Sequence, residues 1–353
     1  MAGMGRRDFL KFTGTAVMAA LFKPYAPLMT TLKSYPPEEV KPASPTGLGR
    51  VTNALIWAYD NPHPGATRLK SLPRDAVVEI YDAISTEGLL SHNPVWCLTS
   101  SGWVYSAWVQ PVKQQFNPVV RDVPQTGFWA QVSVPYVEAL SRPDGKSARL
   151  YRLYYSSVHL VVAHVQDALG QSWYQIRDNL APGRPQYVRA ENLRPISPEE
   201  MAPISPDVED KLIQVNIQQQ MLYAYERGSL VFSTRCATGA SFNVENQGVV
   251  NFGTPYGKHQ VIRKSPSQHM RGGLGRSDYY DLPGVPFCTY FTNTGVAVHG
   301  AYWHNDFGAP RSHGCVNVMP EAAQWVYRWS LPVASYTDTN LEVKQGGTPI
   351  VVG

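Results

Sequence analysis

The sequence predicts a mainly β protein of several domains, with one short helix near its C-terminal end. Three observations lead there. The 353 residues include 28 Gly and 29 Pro beside 20 Tyr, 9 Trp and 11 Phe, the composition of aromatic-rich strands joined by many turns. Apolar runs are short, as in Ala76-Val77-Val78-Glu79-Ile80, and turn residues separate them. Only one stretch keeps a convincing helical period: it starts at Pro320, a residue suited to the first helical position, and continues through Ala322, Trp325, Val326 and Trp329. With 43% hydrophobic and 16% charged residues the chain can bury sizeable cores. At about 150 residues per domain, its length fits two or three domains.

The first 23 residues read as an address. Gly5-Arg6-Arg7-Asp8-Phe9-Leu10-Lys11 resembles a twin-arginine export motif, and the weakly apolar run from Phe12 to Phe22 has the length of a signal core. That run is too short to span a bilayer comfortably. No clean A-x-A site follows, so removal of residues 1–23 and their retention as an anchor both stay open. The expected location is outside the cytoplasmic membrane, at the cell wall or tethered to the membrane. Much of the formal charge of +4 also sits here, where Arg6, Arg7, Lys11 and Lys23 face only Asp8. The remainder is nearly neutral and lacks the basic footprint of a phosphate-backbone binder, so nucleic acid is not an expected partner.

Residues 24–48 form a linker in which Pro36, Pro37, Pro42 and Pro45 exclude helix and favour an extended spacer. Two similar units follow, at residues 49–112 and 118–197. The first ends with Trp96-Cys97-Leu98, Gly102-Trp103-Val104-Tyr105, Val109 and Gln110-Pro111-Val112. In the second, Trp173-Tyr174-Gln175-Ile176, Tyr187-Val188 and Leu193-Arg194-Pro195-Ile196 keep the same order. A Trp-led strand, an aromatic-Val strand and an exit through proline thus occur twice, which predicts a duplicated small β-barrel. The units resemble bacterial SH3-like domains. That resemblance leaves two roles open, binding of cell-wall peptides and simple spacing.

Pro198, Pro203 and Ile204-Ser205-Pro206 read as a linker into a third domain, residues 207–353. Ile213, Val215 and Ile217 alternate with Gln214 and Asn216, a half-buried strand. Met221 to Tyr225, Glu226-Arg227-Gly228 and Ser229 to Phe232 continue as strand, tight turn and strand. Ile350-Val351-Val352 reads as a final buried strand. The four cysteines, Cys97, Cys236, Cys288 and Cys315, lie far apart without C-x-x-C pairing. With Cys315 free, a Cys236–Cys288 bridge and two buried thiols are the alternatives.

The chemistry concentrates between residues 295 and 317. Gly295-Val296-Ala297-Val298-His299-Gly300 reads as a strand with His299 at its mouth, and Arg311-Ser312-His313-Gly314-Cys315-Val316-Asn317 follows. A cysteine nucleophile needs a base, a fixed position and backbone donors aimed at the developing oxyanion. Two histidines and a glycine directly before Cys315 offer all three. Free thiol and imidazole pKa values near 8.5 and 6.5 mean that a thiolate–imidazolium pair costs roughly 2.7 kcal/mol in water. Backbone donors and the Arg311 charge are candidates to supply that.

This pattern resembles the L,D-transpeptidase catalytic domain of the YkuD type, with its His-Gly followed by Ser/Thr-His-Gly-Cys-x-Asn. Thr254-Pro255-Tyr256-Gly257, Ala301-Tyr302-Trp303-His304 and Gly347-Thr348-Pro349-Ile350 agree with it, and the similarity covers about residues 209–352. The Cys236-Ala237-Thr238-Gly239 stretch departs, since Ser-Thr-Gly is common there. The resemblance implies that Cys315 is the nucleophile and His299 its base, oriented by the Gly300 carbonyl. It further implies an oxyanion hole from the N–H groups of His313, Gly314 and Cys315, with Ser312 and Asn317 holding the loop. His313 has two readings, second acid/base or packing residue. Met270, Tyr280, Arg311, Trp303 and His304 are the candidate substrate contacts.

The implied reaction is acyl transfer from a peptidoglycan stem tetrapeptide, with release of D-alanine and a thioester on Cys315. An amine acceptor gives a 3→3 cross-link, water gives L,D-carboxypeptidase activity, and a protein lysine anchors protein to the wall. The expected partners are stem peptides, with covalent inhibition by carbapenems, and no cofactor or metal is expected. The enzymatic rival is a zinc site from His299, His304, His313 and Cys315, whose spacing is unlike paired zinc ligands. A non-catalytic wall-binding protein is the other alternative. Oligomeric state is not set by the sequence. Because all assigned chemistry lies beyond Asp207, a fragment of about residues 205–353 is expected to retain acylation.

Overall fold

The computed structural model describes residues 44–275 and 277–353. The twin-arginine motif, the apolar run to Phe22 and nearly all of the proline-rich linker lie outside the described residues. Contacts divide the chain into two compact units, residues up to 113 with Trp303–Asp306, and Gln114–Tyr302 with Phe307–Gly353.

The first unit is one seven-stranded antiparallel sheet: β1 (Gly47–Val51), β2 (Leu55–Tyr59), β3 (Arg68–Pro73), β4 (Val77–Leu90), β5 (Asn93–Thr99), β6 (Gly102–Tyr105) and β7 (Val109–Val112). They lie in the order β3-β2-β6-β5-β4-β1-β7. Alternation assigns the faces. Val51, Ile56, Ala58, Val104 and Val109 fill one core, while Tyr59, Trp96 and Tyr105 form a second aromatic layer. Tyr59 meets Trp96 edge-on at 5.5 Å, a favoured ring geometry. The buried Arg50 is paired with Asp75 at 2.9 Å and donates to Gln110 Oε1.

The second unit opens with β8 (Phe128–Val132), β9 (Tyr136–Leu140), β10 (Arg149–Tyr154), β11 (Val158–Gln166), β12 (Ser172–Arg177), β13 (Gln186–Arg189) and β14 (Leu193–Pro195). Their order, β10-β9-β13-β12-β11-β8-β14, repeats that of the first sheet strand for strand. Trp96 and Trp173 lie on corresponding strands, and each exit strand, β7 or β14, pairs with the first strand of its own sheet. The duplication legible in the side chains therefore extends to the whole strand order.

The remaining strands are β15 (Lys211–Asn216), β16 (Met221–Glu226), β17 (Ser229–Arg235), β18 (Ser241–Val244), β19 (Gly248–Asn251), β20 (Gly257–Gln260), β21 (Arg263–Gly272), β22 (Tyr280–Tyr290), β23 (Ala297–Gly300), β24 (Val316–Val318), β25 (Leu341–Glu342) and β26 (Pro349–Val352). They make two five-stranded sheets, β17-β16-β15-β26-β20 and β24-β23-β22-β21-β25, and a β18–β19 ribbon. Helix α1 (Pro320–Trp329) buries Ala322, Trp325, Val326 and Trp329, as its period predicts. It touches both sheets: Trp325 stacks on Phe232 at 4.2 Å, and the rings of Tyr327 and Phe287 lie 5.8 Å apart. Two buried lysines close its C-terminal end, where carbonyls lack helical partners. Lys211 donates to Trp329 O and Lys264 to Ser330 O. Burial and the neighbouring Lys211 charge bring the Lys264 pKa down to about 7.

The stretch read as a linker is pinned to this helix. Ile204 N–H donates to Arg328 O, Arg328 Nε to Ala202 O, and Gln324 Nε2 to Glu200 O. The second seven-stranded sheet is bonded to the C-terminal strands within the same unit. Trp129 Nε1 donates to Tyr336 O, Tyr336 to Ile196 O, and Ser267 Oγ to Val158 O. His269 on β21 lies between Asp178 of the second sheet and Asp281 of β22. Among the described residues, no helix is long and apolar enough to cross a membrane, and all four cysteines are free.

Candidate active site

His299 is placed by an apolar strand. Ala297 and Val298 are buried, which fixes β23 between β22 and β24. β23 pairs in parallel with β24, with Val298 beside Val316 and His299 beside Asn317. Carrying that register back one residue sets Cys315 beside Ala297. Because side chains alternate, Ala297, His299, Cys315 and Asn317 share one face, and nucleophile and base become diagonal neighbours. A backbone hydrogen bond from Ala297 to the Cys315 sulfur agrees with this placement. The thiol also points at Gly295 O, 3.9 Å away. His299 Nδ1–H donates to Gly300 O at 3.2 Å, which leaves Nε2 as the basic nitrogen.

The loop before Cys315 is held from inside and outside. Ser312 Oγ accepts the Gly314 N–H at 3.1 Å and donates to Cys315 O at 2.5 Å. Gly314 has φ +115°, a conformation that L side chains rarely adopt. The Gly314 N–H, expected in the oxyanion hole, is thus taken by Ser312. Externally, the Cys236–Gly239 stretch lies against the loop. Ala237 exchanges both backbone bonds with Asn317, Ser312 N–H donates to Thr238 O, and Ala240 N–H to Ser312 O. Gly239 is needed for close approach, since a Cβ there would lie 2.1 Å from Phe252 O. Thr254 joins the two segments: its hydroxyl accepts the Gly239 N–H at 2.9 Å and donates to Gly314 O at 2.8 Å. Gln220 supports the stretch from behind, donating to Thr238 Oγ1 and Ile217 O and accepting the Thr238 N–H.

His313 sits in a cage. Its ring stacks on Phe242 at 4.3 Å and lies 4.6 Å from Phe252 and 5.0 Å from Tyr280. Its Nε2 meets Asp278 Oδ2 at 3.3 Å. Asp278 also accepts the Leu274 and Gly275 N–H groups. Those bonds, that of Leu274 first, hold its carboxyl below the usual range.

Electrostatically the site differs from the sequence expectation. Burial lowers the His299 pKa to about 4 and raises the Cys315 pKa to about 11, the Ala297 hydrogen bond opposing the latter. Arg311 is exposed and does not figure among the causes. Burial of both groups therefore favours a neutral thiol and a neutral imidazole in the resting site. The other thiols are less reactive still. Burial pushes Cys97 and Cys236 up to about 12 and Cys288 well above its ordinary value.

The structure thus brings together Cys315, His299, Gly300, Ser312, His313, Gly314, Asn317 and Tyr280. Met270 lies half-buried on β21, paired with Leu282. Trp303 and His304 belong by their contacts to the first unit, where Asn305 Nδ2 donates to Ser106 O and Asp306 pairs with His92. Asp278, Thr238 and Gln220 were not found from the sequence, and Thr254 appeared there only as a motif residue. The partners that tie them into the site are 15 to 74 residues away, with no local pattern to betray them. Among the described residues, no group of three or more His, Cys, Asp or Glu could hold a metal ion.

Residues 210–352 match the family model described as the L,D-transpeptidase catalytic domain, YkuD. No curated protein sequence matches the chain. Among solved structures, an L,D-transpeptidase from Mycobacterium smegmatis is similar at 26% identity over 41% of this chain and 58% of its own, with a TM-score of 0.31. The catalytic domain of the Enterococcus faecium L,D-transpeptidase is similar at 23% identity over 41% of this chain and 98% of its own, also at 0.31. L,D-transpeptidase 3 from Mycobacterium tuberculosis, solved with a faropenem-derived adduct, is similar at 17% over 56% of this chain and 90% of its own, at 0.30. The chain thus spans less than two thirds of the length of the M. smegmatis structure. On the family-model match, residues 210–352 carry a YkuD-type L,D-transpeptidase catalytic domain.

Proposed function

We propose that the chain is a peptidoglycan L,D-transpeptidase that forms 3→3 cross-links by cysteine acyl transfer. The observation that carries this reading is the register of β23 and β24, which carried back one residue sets Cys315 and His299 on one face at the end of the Ser312–Gly314 loop. With substrate bound, the thiol proton passes to His299 Nε2 as sulfur attacks the carbonyl of the third stem residue. The His313 and Cys315 N–H groups receive the oxyanion. The imidazolium then protonates the departing D-alanine nitrogen, the C–N bond breaks, and a thioester remains. An acceptor amine attacks the thioester, its proton goes to His299, and sulfur leaves and recovers that proton.

The unfavourable proton transfer in the empty site gives this sequence its logic. Burial favours the neutral pair, so His299 acts as a general base during attack, while the oxyanion donors stabilise the charge that develops. The twin-arginine motif supports a location outside the cytoplasmic membrane, where stem peptides and carbapenems are reached. The test is incubation with purified stem tetrapeptide and an amine acceptor. Release of D-alanine with formation of a 3→3 dimer supports the reading; tetrapeptide left intact by a folded protein overturns it.

A further inference from the structure

Asp278 has no role in the chemistry above, yet its carboxylate is fully buried. A buried carboxylate is costly unless donors surround it, and here three groups do so. Leu274 N–H donates at 2.9 Å, Gly275 N–H at 2.7 Å, and His313 Nε2–H at 3.3 Å. The first two tie Leu274 and Gly275 to Asp278 between β21 and β22. The third ties Asp278 to a residue two places before the proposed nucleophile. The neighbouring Ser277 is fixed as well: its Oγ donates to Asn243 O and accepts the Glu245 N–H. Phe242, one residue from Asn243, stacks on the His313 ring with only 6° between planes. The β18–β19 ribbon and Asp278 therefore grip one imidazole.

We infer that Asp278 is a positioning residue of the acyl-transfer site, acting through His313: it fixes the imidazole with Nε2 protonated and locks the catalytic loop to Leu274 and Gly275 beyond β21. The inference rests on the transpeptidase reading for its effect on rate, but not for the state of the ring. A carboxylate only accepts, so Nε2 must donate. With the ring held by Asp278, Phe242, Phe252 and Tyr280, the His313 backbone N–H one bond sequence away from Gly314 keeps its aim at the developing oxyanion. The titratable groups around the ring are Asp278 and Tyr280 on the hairpin, with Cys315 and Arg311 on its own loop. Among the described residues, Asp278 is the hydrogen-bond partner of the imidazole.

Asp278→Asn separates this role from mere shape. An amide oxygen in the Oδ1 place keeps the Gly275 bond and the 3.1 Å Leu274 bond, while the NH₂ group in the Oδ2 place gives up the 2.9 Å Leu274 bond, faces Nε2 and forces that nitrogen to accept. The full chain, labelled with ¹⁵N, is examined by long-range ¹H–¹⁵N spectra of the His313 ring near neutral pH. Nε2 is expected to be protonated in the wild type and bare in Asp278→Asn. In parallel, carbapenem acylation is followed by intact mass for the wild type, Asp278→Asn, His313→Gln and the double variant. Each single change is expected to slow acylation at least tenfold, and the double variant to be no slower than the slower single, since both remove one linked function. A bare Nε2 in the wild type overturns the inference without any variant. So does Asp278→Asn acylating within twofold of the wild type, or losses that multiply in the double variant. If the wild type is never acylated, the transpeptidase reading fails, while the ring spectra still decide the state of His313.

Discussion

Replacing Thr254 by Val removes one hydroxyl from a side chain only 2% exposed. That hydroxyl both donates to Gly314 O and accepts the Gly239 N–H. Valine leaves two backbone groups without partners, at about 1–3 kcal/mol each, so a rigid site would lose roughly 2–6 kcal/mol. A shift of about 2–4 °C per kcal/mol for a unit of this size turns that into a fall of roughly 4–24 °C in Tm. The alternative is relaxation, in which Gly314 moves and Cys315 moves with it, and the cost appears as slower acylation. The expected result of Thr254→Val is therefore a lower Tm together with at least tenfold slower carbapenem acylation, followed by intact mass. Thr254→Ser keeps the hydroxyl and is expected to retain most of both. A Thr254→Val protein with wild-type Tm and rate would refute the view that this hydroxyl joins the Cys236–Gly239 stretch to the catalytic loop.

Burial of His299 and His159 lowers both pKa values to about 4, and the sign follows from linkage. The unfolded chain takes up protons below about pH 6.5 that the buried rings refuse, so stability is full above that pH and falls toward pH 4, by roughly 3 kcal/mol per ring at most. Urea midpoints at pH 7.5 and 4.5 check this, and a midpoint that does not fall contradicts it. Acylation is expected to keep its base down to about pH 5 and to fall as pH drops through about 4; a rate that halves near pH 6.5 would mean that His299 is not the buried base. Contrary to the expectation from the sequence that about residues 205–353 suffice, a chain beginning at residue 207 loses the bonds from Trp129, Val158, Asp178 and Ile196 to the C-terminal strands. It is expected to lack a cooperative thermal transition, whereas a chain beginning at residue 114 keeps one; a stable, acylated 207–353 fragment would show these contacts to be dispensable.

Much of this architecture is legible in the sequence wherever a local pattern carries it. The period from Pro320 marks α1, the alternation of Ile213 and Val215 marks β15, and the Trp-led repeat marks two sheets of identical strand order. His299 and Cys315 are legible because a nucleophile and its base come with a strand end, a glycine and a short spacing. What the sequence hides is held by distant partners. Asp278 looks like one more loop acid until the fold places it 35 residues back along the chain against His313. The stretch around Cys236 draws attention to its thiol, while its backbone is what holds the catalytic loop. Residues 198–206 have the prolines of a linker, but Arg328 and Gln324 bond to their carbonyls. Low thiol pKa was expected from nearby donors and Arg311, and desolvation outweighs them in the folded chain.

The central claim is that Cys315 is the acylated residue. Its most direct test is peptide mapping by mass spectrometry after exposure to a carbapenem, for the wild type and for Cys315→Ala. The expected result is one adduct per chain, on the peptide containing Cys315, and none in Cys315→Ala. An adduct on Cys97, Cys236 or Cys288, or one that persists in Cys315→Ala, would contradict the account.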